Sequence, residues 1–270
     1  MLRQELRNEA ILIYLREIVL ALGMGTSGTL SYLSKLASEL FHRVVSESGE
    51  SIEKAARLVA EAMKLGGLEY VFGTGHSMLV ALEASFRAGE LVRVYPIVDL
   101  SMLGIPSALR ASALERLPGY SKAIVSSLRI VPNSVAIIVS NSGKNSGPVE
   151  MALELRSRGV KTVGVTSLEY SRKLVPDNPA TKKLYEVVDI VIDNKVPDGD
   201  AAYELSQRVR VFPVSTIVNS FIVHLVNARA AEILMEQGFE PEVWTSVNVP
   251  GGKERNSSYI EKYFSVLRFL

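Results

Sequence analysis

The sequence predicts an α/β protein with a parallel sheet that is covered by helices on both faces. From residue 68 onward, short runs rich in β-branched residues alternate with stretches of helical periodicity. The run Val135–Val139 is continuously apolar, as in a central strand that is buried on both sides. Hydrophobic residues make up 47% of the 270 residues, which is enough for a large core. The chain is therefore expected to form a doubly wound α/β domain.

Five strands and the helices between them follow from this pattern. The strands are expected at Tyr70–Phe72, Val92–Val98, Ser134–Val139, Lys161–Val165 and Val187–Ile192. Helices are expected at Ser77–Ala88, Ser146–Arg158 and Leu168–Leu174, and a long apolar helix over Ser215–Glu236. The segment Ser101–Leu128 is longer than a plain connection and is expected to form short helices near the site.

Helical extensions are predicted at both ends of this domain. Residues 1–66 have little strand signal and predict an N-terminal helical extension, with breaks at Gly23–Gly28 and Ser46–Ser51. At its start, Arg16 and Glu17 interrupt the apolar residues, which favours an amphipathic helix over a signal peptide. Residues 67–270 are expected to form the α/β domain with a C-terminal helical tail. We hypothesise that the tail turn Pro250–Asn256 folds over the site of its own or a neighbouring subunit.

Charge and composition exclude several classes of function. The 30 basic and 29 acidic residues leave a net charge of +1, so neither nucleic acid nor a membrane is an expected partner. The chain has no cysteine, which excludes disulfides and thiolate chemistry, and its three histidines lie too far apart to predict a metal site. No apolar run reaches membrane-spanning length without a polar interruption, so we expect a cytoplasmic protein.

Two loops that follow strands carry residues suited to binding an anion. In Gly73-Thr74-Gly75-His76-Ser77, the glycines allow close backbone approach, and a helix N-terminus follows. The second, after Val139, contains Ser140, Asn141, Ser142, Gly143, Asn145 and Ser146. Such a concentration of hydroxyl, amide and backbone donors can hold a phosphate group without a fixed positive charge. The alternative for the second loop is a polar turn that caps a helix.

Other phosphate-binding motifs match less well. Gly73 and Gly75 resemble the opening of a dinucleotide fingerprint, but Met78 occupies the position of the third glycine. Asp99 could then play the part of the ribose-binding acid. The order of residues around Lys144 does not match a Walker A loop. We therefore expect no cofactor.

These loops and their flanking residues resemble the phosphosugar-binding domain of the SIS (sugar isomerase) family. The segment GTGHS follows a strand, and VSNSGKNSGPVEMALELRSRGVKTVGVTSL contains the family's S-x-S-G phosphate signature at Ser140–Gly143. The turn Val165–Ser167 is similar to the hydroxyl-bearing turn after the next strand in those proteins. The resemblance covers residues 50–266 and is strongest to an uncharacterised subgroup of the family.

The resemblance implies a flavodoxin-like five-stranded sheet, a homodimer or homotetramer, and a phosphorylated sugar as ligand. Carried over to this sequence, Ser140, Ser142, Ser146 and Thr166 would hold the phosphate, and Ser167 belongs to the same turn. Thr74, Gly75 and His76 would line the sugar. Known aminosugar-phosphate isomerases of the family carry a glutamate shortly before their last helix, whereas Val209–Thr216 contains no acid.

Proton chemistry has two candidate residues in this region. Glu83 lies in a nearly apolar helix after the first loop, where burial would raise the pKa of its carboxyl. The alternative is that Glu83 pairs with Arg87. His76 lies within the first loop, and imidazole is a side chain suited to moving protons near neutral pH. His224 lies on a polar stripe of the long helix and is interpreted as a contact residue.

The sequence favours a sugar-phosphate isomerase that converts an aldose to a ketose, with Glu83 and His76 as the catalytic residues. Two alternatives stay open. One is a non-catalytic sensor that binds a sugar phosphate and acts on a partner. The other is an etherase or lyase of phosphorylated aminosugars, in which Glu83 would protonate the leaving group. The family contains all three classes, so the resemblance does not choose between them.

Overall fold

A buried parallel sheet organises the part of the chain that the structure describes. The structure is a computed structural model, and it describes residues 26–105 and 107–269. The strands are β1 (Glu69–Gly73), β2 (Val94–Ile97), β3 (Val135–Val139), β4 (Lys161–Thr166) and β5 (Ile190–Asp193). They pair in the order β2-β1-β3-β4-β5, and every pairing is parallel. The predicted fold class is confirmed.

Helices connect the strands and flank the sheet. They are α1 (Thr26–Lys64), α2 (Met78–Glu83), α3 (Ala108–Arg116), α4 (Tyr120–Ser127), α5 (Ser146–Ser157), α6 (Leu168–Lys173), α7 (Leu184–Val187), α8 (Ser215–Glu236) and α9 (Gly252–Tyr263). The predicted helix from Ser77 to Ala88 is shorter than expected, because it ends at Glu83 and the chain turns through Phe86 at a positive φ of 46°. The predicted short helices within Ser101–Leu128 are α3 and α4.

Both faces of the central strands are buried. On one face Tyr70, Phe72 and Ile138 pack into a core together with residues of α4 and α5. Since successive side chains of a strand point to opposite faces, Glu69 and Val71 lie on the other face. They too are fully buried. A charged residue type is thus placed in the interior at the first position of β1.

The predicted break at Ser46–Ser51 is wrong, because α1 runs through it without interruption. Val44, Ile52 and Ala55 are buried along this stretch of the helix. Ser48 is also buried, and its hydroxyl donates to the carbonyl oxygen of Asp193 at the end of β5 (2.8 Å). A serine that usually favours a turn is therefore satisfied by a partner that is distant in sequence.

The chain divides into two compact units within α1, residues 1–42 and 43–270. The sheet and the loops that follow its strands belong to the second unit. The amphipathic helix that the sequence predicts at the start of the chain lies outside the described residues. A boundary at residue 66 between a helical extension and the α/β domain stays a prediction.

An antiparallel hairpin, which the sequence analysis missed, lies between β5 and α8. Its strands are β6 (Ala201–Ser206) and β7 (Val209–Pro213). Most of its residues are exposed, so it lacks the apolar run by which buried strands are found. The stretch Val209–Thr216, which lacks the acid expected in an aminosugar-phosphate isomerase, forms β7 and the start of α8.

The helix α8 has the length and apolar composition of a membrane span, and half of its apolar window is buried inside the protein. Its Asn219 and Asn227 are buried and hydrogen-bonded to other interior side chains. These features are those of a core helix in an α/β protein.

The glycine-rich turn of the tail is explained by its own packing. Gly251 has a positive φ of 76°, and a Cβ on Gly252 would lie 2.1 Å from the carbonyl oxygen of Ser246. The Asn256 side chain accepts from the Thr245 amide (3.0 Å) and donates to the Thr245 carbonyl (2.7 Å). That this turn covers the site of its own or a neighbouring copy stays a hypothesis.

Asp200 caps α8, and its removal is expected to destabilise the protein. One carboxylate oxygen accepts from the amides of Val214 (3.0 Å) and Ser215 (2.7 Å), and the other accepts from the Ser215 hydroxyl (2.8 Å). Asp200 has φ 72°, which glycine tolerates, so Asp200→Gly removes the cap without adding strain. We expect a loss of about 1 kcal/mol in the free energy of unfolding, measured in urea.

Asp200→Asn is the matched control for this cap. Asparagine also tolerates the positive φ and keeps an oxygen that can accept from the Val214 and Ser215 amides, so we expect it to retain most of the stability. Equal losses in the two variants would contradict a capping role for Asp200.

Candidate functional site

The site lies where the carboxyl ends of β1 and β3 meet. Gly73 is level with Val139 in the sheet, and Val139 is level with Val165, so the segments that follow these residues emerge at one edge. Because β2 and β3 flank β1 on opposite sides, the chain leaves β1 and β3 in opposite directions, which opens a crevice there. We call Gly73–Ser77 the glycine loop and Ser140–Ser146 the serine loop.

The glycine loop is tightly folded against the start of α2. A Cβ on Gly73 would lie 2.4 Å from the carbonyl oxygen of Ser77, so only glycine fits, and Gly75 has a positive φ of 54°. The Ser77 amide donates to the Thr74 carbonyl (3.1 Å) and closes the turn. Thr74 is buried, and its methyl group would be 3.3 Å from a Cβ on Gly147. The glycine loop and the start of α5 are therefore in contact.

Four successive carbonyl groups of the serine loop, from Asn141 to Lys144, are bonded to structure outside the loop. The donors are the Thr166 hydroxyl (3.0 Å), the Ser171 hydroxyl (2.6 Å), the Leu184 amide (2.8 Å) and the Asp177 amide (2.8 Å), in the order of the carbonyls. In a planar trans peptide the next N–H points away from the carbonyl. The amides of residues 142 to 145 are thus directed away from the groups that bond the carbonyls, as in an anion-binding nest.

Hydroxyl and amide side chains complete this nest. Ser140 Oγ accepts from the Gly143 amide (3.2 Å). Ser146 Oγ and Asn145 Oδ1 are buried without a hydrogen-bond partner among the described residues. Both lie at the N-terminus of α5, where the first amides lack acceptors within the helix. An unpartnered hydroxyl buried at this position is suited to donate to an anionic oxygen.

Thr166 and Ser167 support the loop. The Thr166 hydroxyl donates to the Asn141 carbonyl (3.0 Å), and the Ser167 hydroxyl donates to the Val196 carbonyl (2.7 Å). Since each hydroxyl proton is already used within the protein, the arrangement favours a role in holding the loop. Their predicted contacts with a phosphate stay predictions.

Buried asparagines join the serine loop to β5 and α8. Asn194, which is fully buried, donates to Asn141 Oδ1 (2.6 Å) and to Asn219 Oδ1 (2.8 Å). Its own Oδ1 accepts from the Val196 amide (3.1 Å). Hydrogen bonds between side-chain amides thus hold the serine loop to the end of β5 and to α8. Asn219 is a residue whose role the sequence analysis missed.

Charged groups near the serine loop are largely paired with each other. Asp177 Oδ2 lies 3.4 Å from Lys144 Nζ and 3.6 Å from Arg116 Nε. Glu115, also missed from sequence, accepts from the Asn145 amide (2.6 Å). The Lys183 ammonium is buried and donates to two backbone carbonyls, and burial lowers the pKa of this group. Oriented dipoles therefore form the nest itself, and the charged groups surround it.

The two predicted catalytic residues lie in different surroundings. His76 is exposed in the glycine loop, and its side chain has no hydrogen bond or ion pair within residues 26–105 and 107–269. The Glu83 side chain is 37% exposed and pairs with Arg87 (2.9 Å), which is the alternative that the sequence analysis left open. Its other neighbour is His224, whose Nε2 lies 3.6 Å from Glu83 Oε1. The structure brings Glu83 together with His224.

Comparisons with known proteins agree with the geometry. The family described as SIS domain matches residues 31–167. The UPF0309 protein GK1441 of Geobacillus kaustophilus is 36% identical over 233 residues, which cover 86% of this chain and 92% of that protein. A UPF0309 protein of Geobacillus thermodenitrificans is 38% identical over 234 residues, 86% of this chain and 93% of that protein.

The fold is also that of a solved enzyme. A phosphoheptose isomerase from Francisella tularensis superposes on 77% of this chain and 100% of its own with a TM-score of 0.51. The two sequences are 14% identical, so this similarity shows a shared fold.

The tight packing of the serine loop predicts the effect of a methyl group on Gly143. This residue has φ 55°, and an added Cβ would lie 3.0 Å from Leu184 Cβ and 3.2 Å from Thr166 Oγ1. Gly159 has φ 82° with no atom within 4 Å of an added Cβ. Both alanine variants incur backbone strain, and we expect Gly143→Ala to lose about 1 kcal/mol more because of the close contacts. Urea unfolding of the two variants measures the difference, and equal losses would show that the loop is loosely packed.

Proposed function

Because the chain belongs to the SIS domain family, we propose that its serine loop binds the phosphate group of a phosphorylated sugar. The observation that carries the proposal is the buried Ser146 hydroxyl, which has no partner among the described residues and lies in a loop whose carbonyls from Asn141 to Lys144 are bonded outward. Phosphate oxygens are acceptors, and this loop offers donors to them. Asn145 Oδ1, an unpartnered acceptor, is suited to a sugar hydroxyl.

We further propose that the protein is an isomerase that interconverts an aldose and a ketose phosphate. Such a reaction needs a base that moves a proton between adjacent carbons and an acid that assists ring opening. Glu83 is the proposed base, and His224 is its proposed partner because their side chains are adjacent. α8 also packs against the helical turn Gly75–Ser77, which brings the pair near the glycine loop. His76 remains a candidate for ring opening.

A homodimer or homotetramer is part of this proposal, as is a cytoplasmic location. Leu79 and Leu82 of α2, and Phe86 three residues after the end of this helix, are exposed and lie close to Glu83 in the chain. Contact with a second copy would remove this apolar surface from water. Light scattering of the purified protein is expected to give at least twice the 29.5 kDa chain mass. A mass of one chain would contradict it.

Ligand-dependent thermal stability tests the phosphate site. A ligand at 100 times its dissociation constant stabilises the native state by about 2.7 kcal/mol. We expect at least one hexose, pentose or aminosugar phosphate to raise the melting temperature, and its unphosphorylated sugar to have no effect. Ser142→Ala and Ser146→Ala are expected to abolish the shift.

Ser157→Ala is the matched control, because Ser157 is exposed in the last turn of the same helix, α5. Its shift is expected to equal that of the unmodified protein. A shift that persists in Ser146→Ala, or one produced by a nicotinamide nucleotide alone, would contradict phosphosugar binding at this loop.

Turnover of the stabilising ligand separates an enzyme from a sensor. We expect aldose–ketose conversion, and we expect Glu83→Gln to lower kcat at least about 100-fold with the thermal shift retained, because general base catalysis contributes about 10²–10⁴ in rate. Glu61→Gln, at an exposed position of α1, is the control. Binding without turnover would indicate a sensor. Release of a leaving group from an aminosugar phosphate would indicate the etherase alternative.

A further inference from the structure

A chain of polar side chains leads from Glu83 into the interior of the protein. His224 Nε2 faces Glu83 at 3.6 Å, and His224 Nδ1 is bonded to Glu90 Oε1. The second oxygen of Glu90 accepts from the Asn227 amide (2.9 Å). The Glu90 side chain is 5% exposed, so this arrangement lies beneath the surface on which Glu83 is found.

The backbone at Glu90 is held on both sides. Its amide donates to the Arg87 carbonyl (3.0 Å), and its carbonyl accepts from the Trp244 amide (2.9 Å). Because the main chain is fixed and both carboxylate oxygens are bonded, the carboxylate of Glu90 has one orientation. The imidazole that it accepts from is oriented with it.

A second carboxyl, that of Glu69, lies near these residues and lacks a hydrogen-bond partner among the described residues. Glu69 is fully buried at the start of β1, and neither of its carboxyl oxygens has a hydrogen bond among the described residues. Asn227 Oδ1 is buried and unpartnered as well. Asn227 is close enough to Glu69 to influence its carboxyl, and a proton on this carboxyl would supply the donor that Asn227 Oδ1 lacks.

Electrostatics favour this proton on Glu69. Burial raises the pKa of the Glu69 carboxyl well above its ordinary value, the negative charge of Glu90 raises it further, and the polar side chain of Asn227 lowers it. Two adjacent carboxyls in a low dielectric do not both ionise. Burial keeps the proton on Glu69, whose oxygens accept no hydrogen bond among the described residues, whereas the oxygens of Glu90 accept from His224 and Asn227.

We propose that Glu90 is a positioning residue, which directs the Nε2 atom of His224 at Glu83, that Asn227 holds the Glu90 carboxylate in place, and that the buried carboxyl of Glu69 is neutral. The role in turnover rests on the proposed function, in which Glu83 and His224 exchange protons with a sugar. The orientation of the His224 side chain does not depend on the proposed function. The bond to Glu90 sets the neutral tautomer, with the proton on Nδ1 and the lone pair of Nε2 on the side of Glu83.

The charge of His224 depends on the groups that face it. Its hydrogen bond to Glu90 is the main cause that raises the pKa of the imidazole, Glu83 adds to the rise, and burial and Arg87 oppose it. A raised histidine pKa stabilises the fold below the unfolded value of about 6.5 and loses this contribution as the pH rises through the folded value. Without Glu90, this stabilisation should largely disappear.

Nitrogen NMR of the imidazoles in the unmodified protein is the first test. The chain has three histidines, so His42→Gln and His76→Gln variants assign the signals of His224. Above its titration midpoint, His224 is expected to carry its proton on Nδ1. A proton on Nε2 would overturn the proposal, and this test needs no variant of the buried residues.

Variants then separate the two carboxyls. Glu90→Gln is expected to lower the titration midpoint of His224 by about one pH unit, because a charge in direct contact is lost. Glu69→Gln resembles a neutral acid in shape and charge, so it is expected to leave the midpoint unchanged. If Glu69→Gln lowers the titration midpoint of His224 as much as Glu90→Gln does, Glu69 is ionised, and the neutral state assigned to it is overturned. Glu61→Gln is the exposed control.

Turnover provides a separate measurement. With a sugar phosphate that is converted, Glu90→Gln is expected to lower kcat with little change in KM and to shift the pH–rate profile, and Glu90→Asp is expected to restore the charge without the full rate. An unchanged profile in Glu90→Gln would refute positioning while the proposed function stands. Conversely, NMR could place the proton on Nδ1 of His224 while no sugar phosphate is turned over. That outcome would refute the isomerase proposal and leave the assignment of His224 intact.

Discussion

The directions of the peptide groups between Asn141 and Asn145 decide what the site can hold. Their carbonyls are bonded to α6, α7 and the segments around them, and the amides therefore point away from these partners. A loop with its carbonyls turned inward would repel the same anion. The packing of Gly143 against Leu184 and Thr166 is what keeps this orientation, since a larger residue would displace the neighbouring segments.

The helix α8 links the two ends of the site. Asn219 bonds the asparagines that support the serine loop, and His224 and Asn227 follow five and eight residues later. At 1.5 Å per residue, the span from Asn219 to Asn227 is about 12 Å. Both the anion nest and the pair of Glu83 and His224 thus depend on one rigid element, which is capped at its start by Asp200.

Local patterns in the sequence predict the sheet, the two loops and α8, because buried strands and glycine-rich turns impose their composition on short segments. What they do not predict depends on partners distant in the chain. At Ser48, where the sequence predicts a break in α1, the hydroxyl bonds the carbonyl of Asp193 instead. Glu69 and Glu90 resemble ordinary charged residues until α8 brings Asn227 and His224 to them. The hairpin was missed because it is short and exposed.

The network around Asn194 has a thermodynamic consequence for ligand binding. This side chain is fully buried and bonds to both Asn141 and Asn219, so the serine loop is ordered before a ligand arrives. The conformational entropy of ordering the loop is then lost during folding and not on association. Little apolar surface changes its exposure at such a polar, preformed nest, so binding should have a small heat-capacity change and be driven by enthalpy.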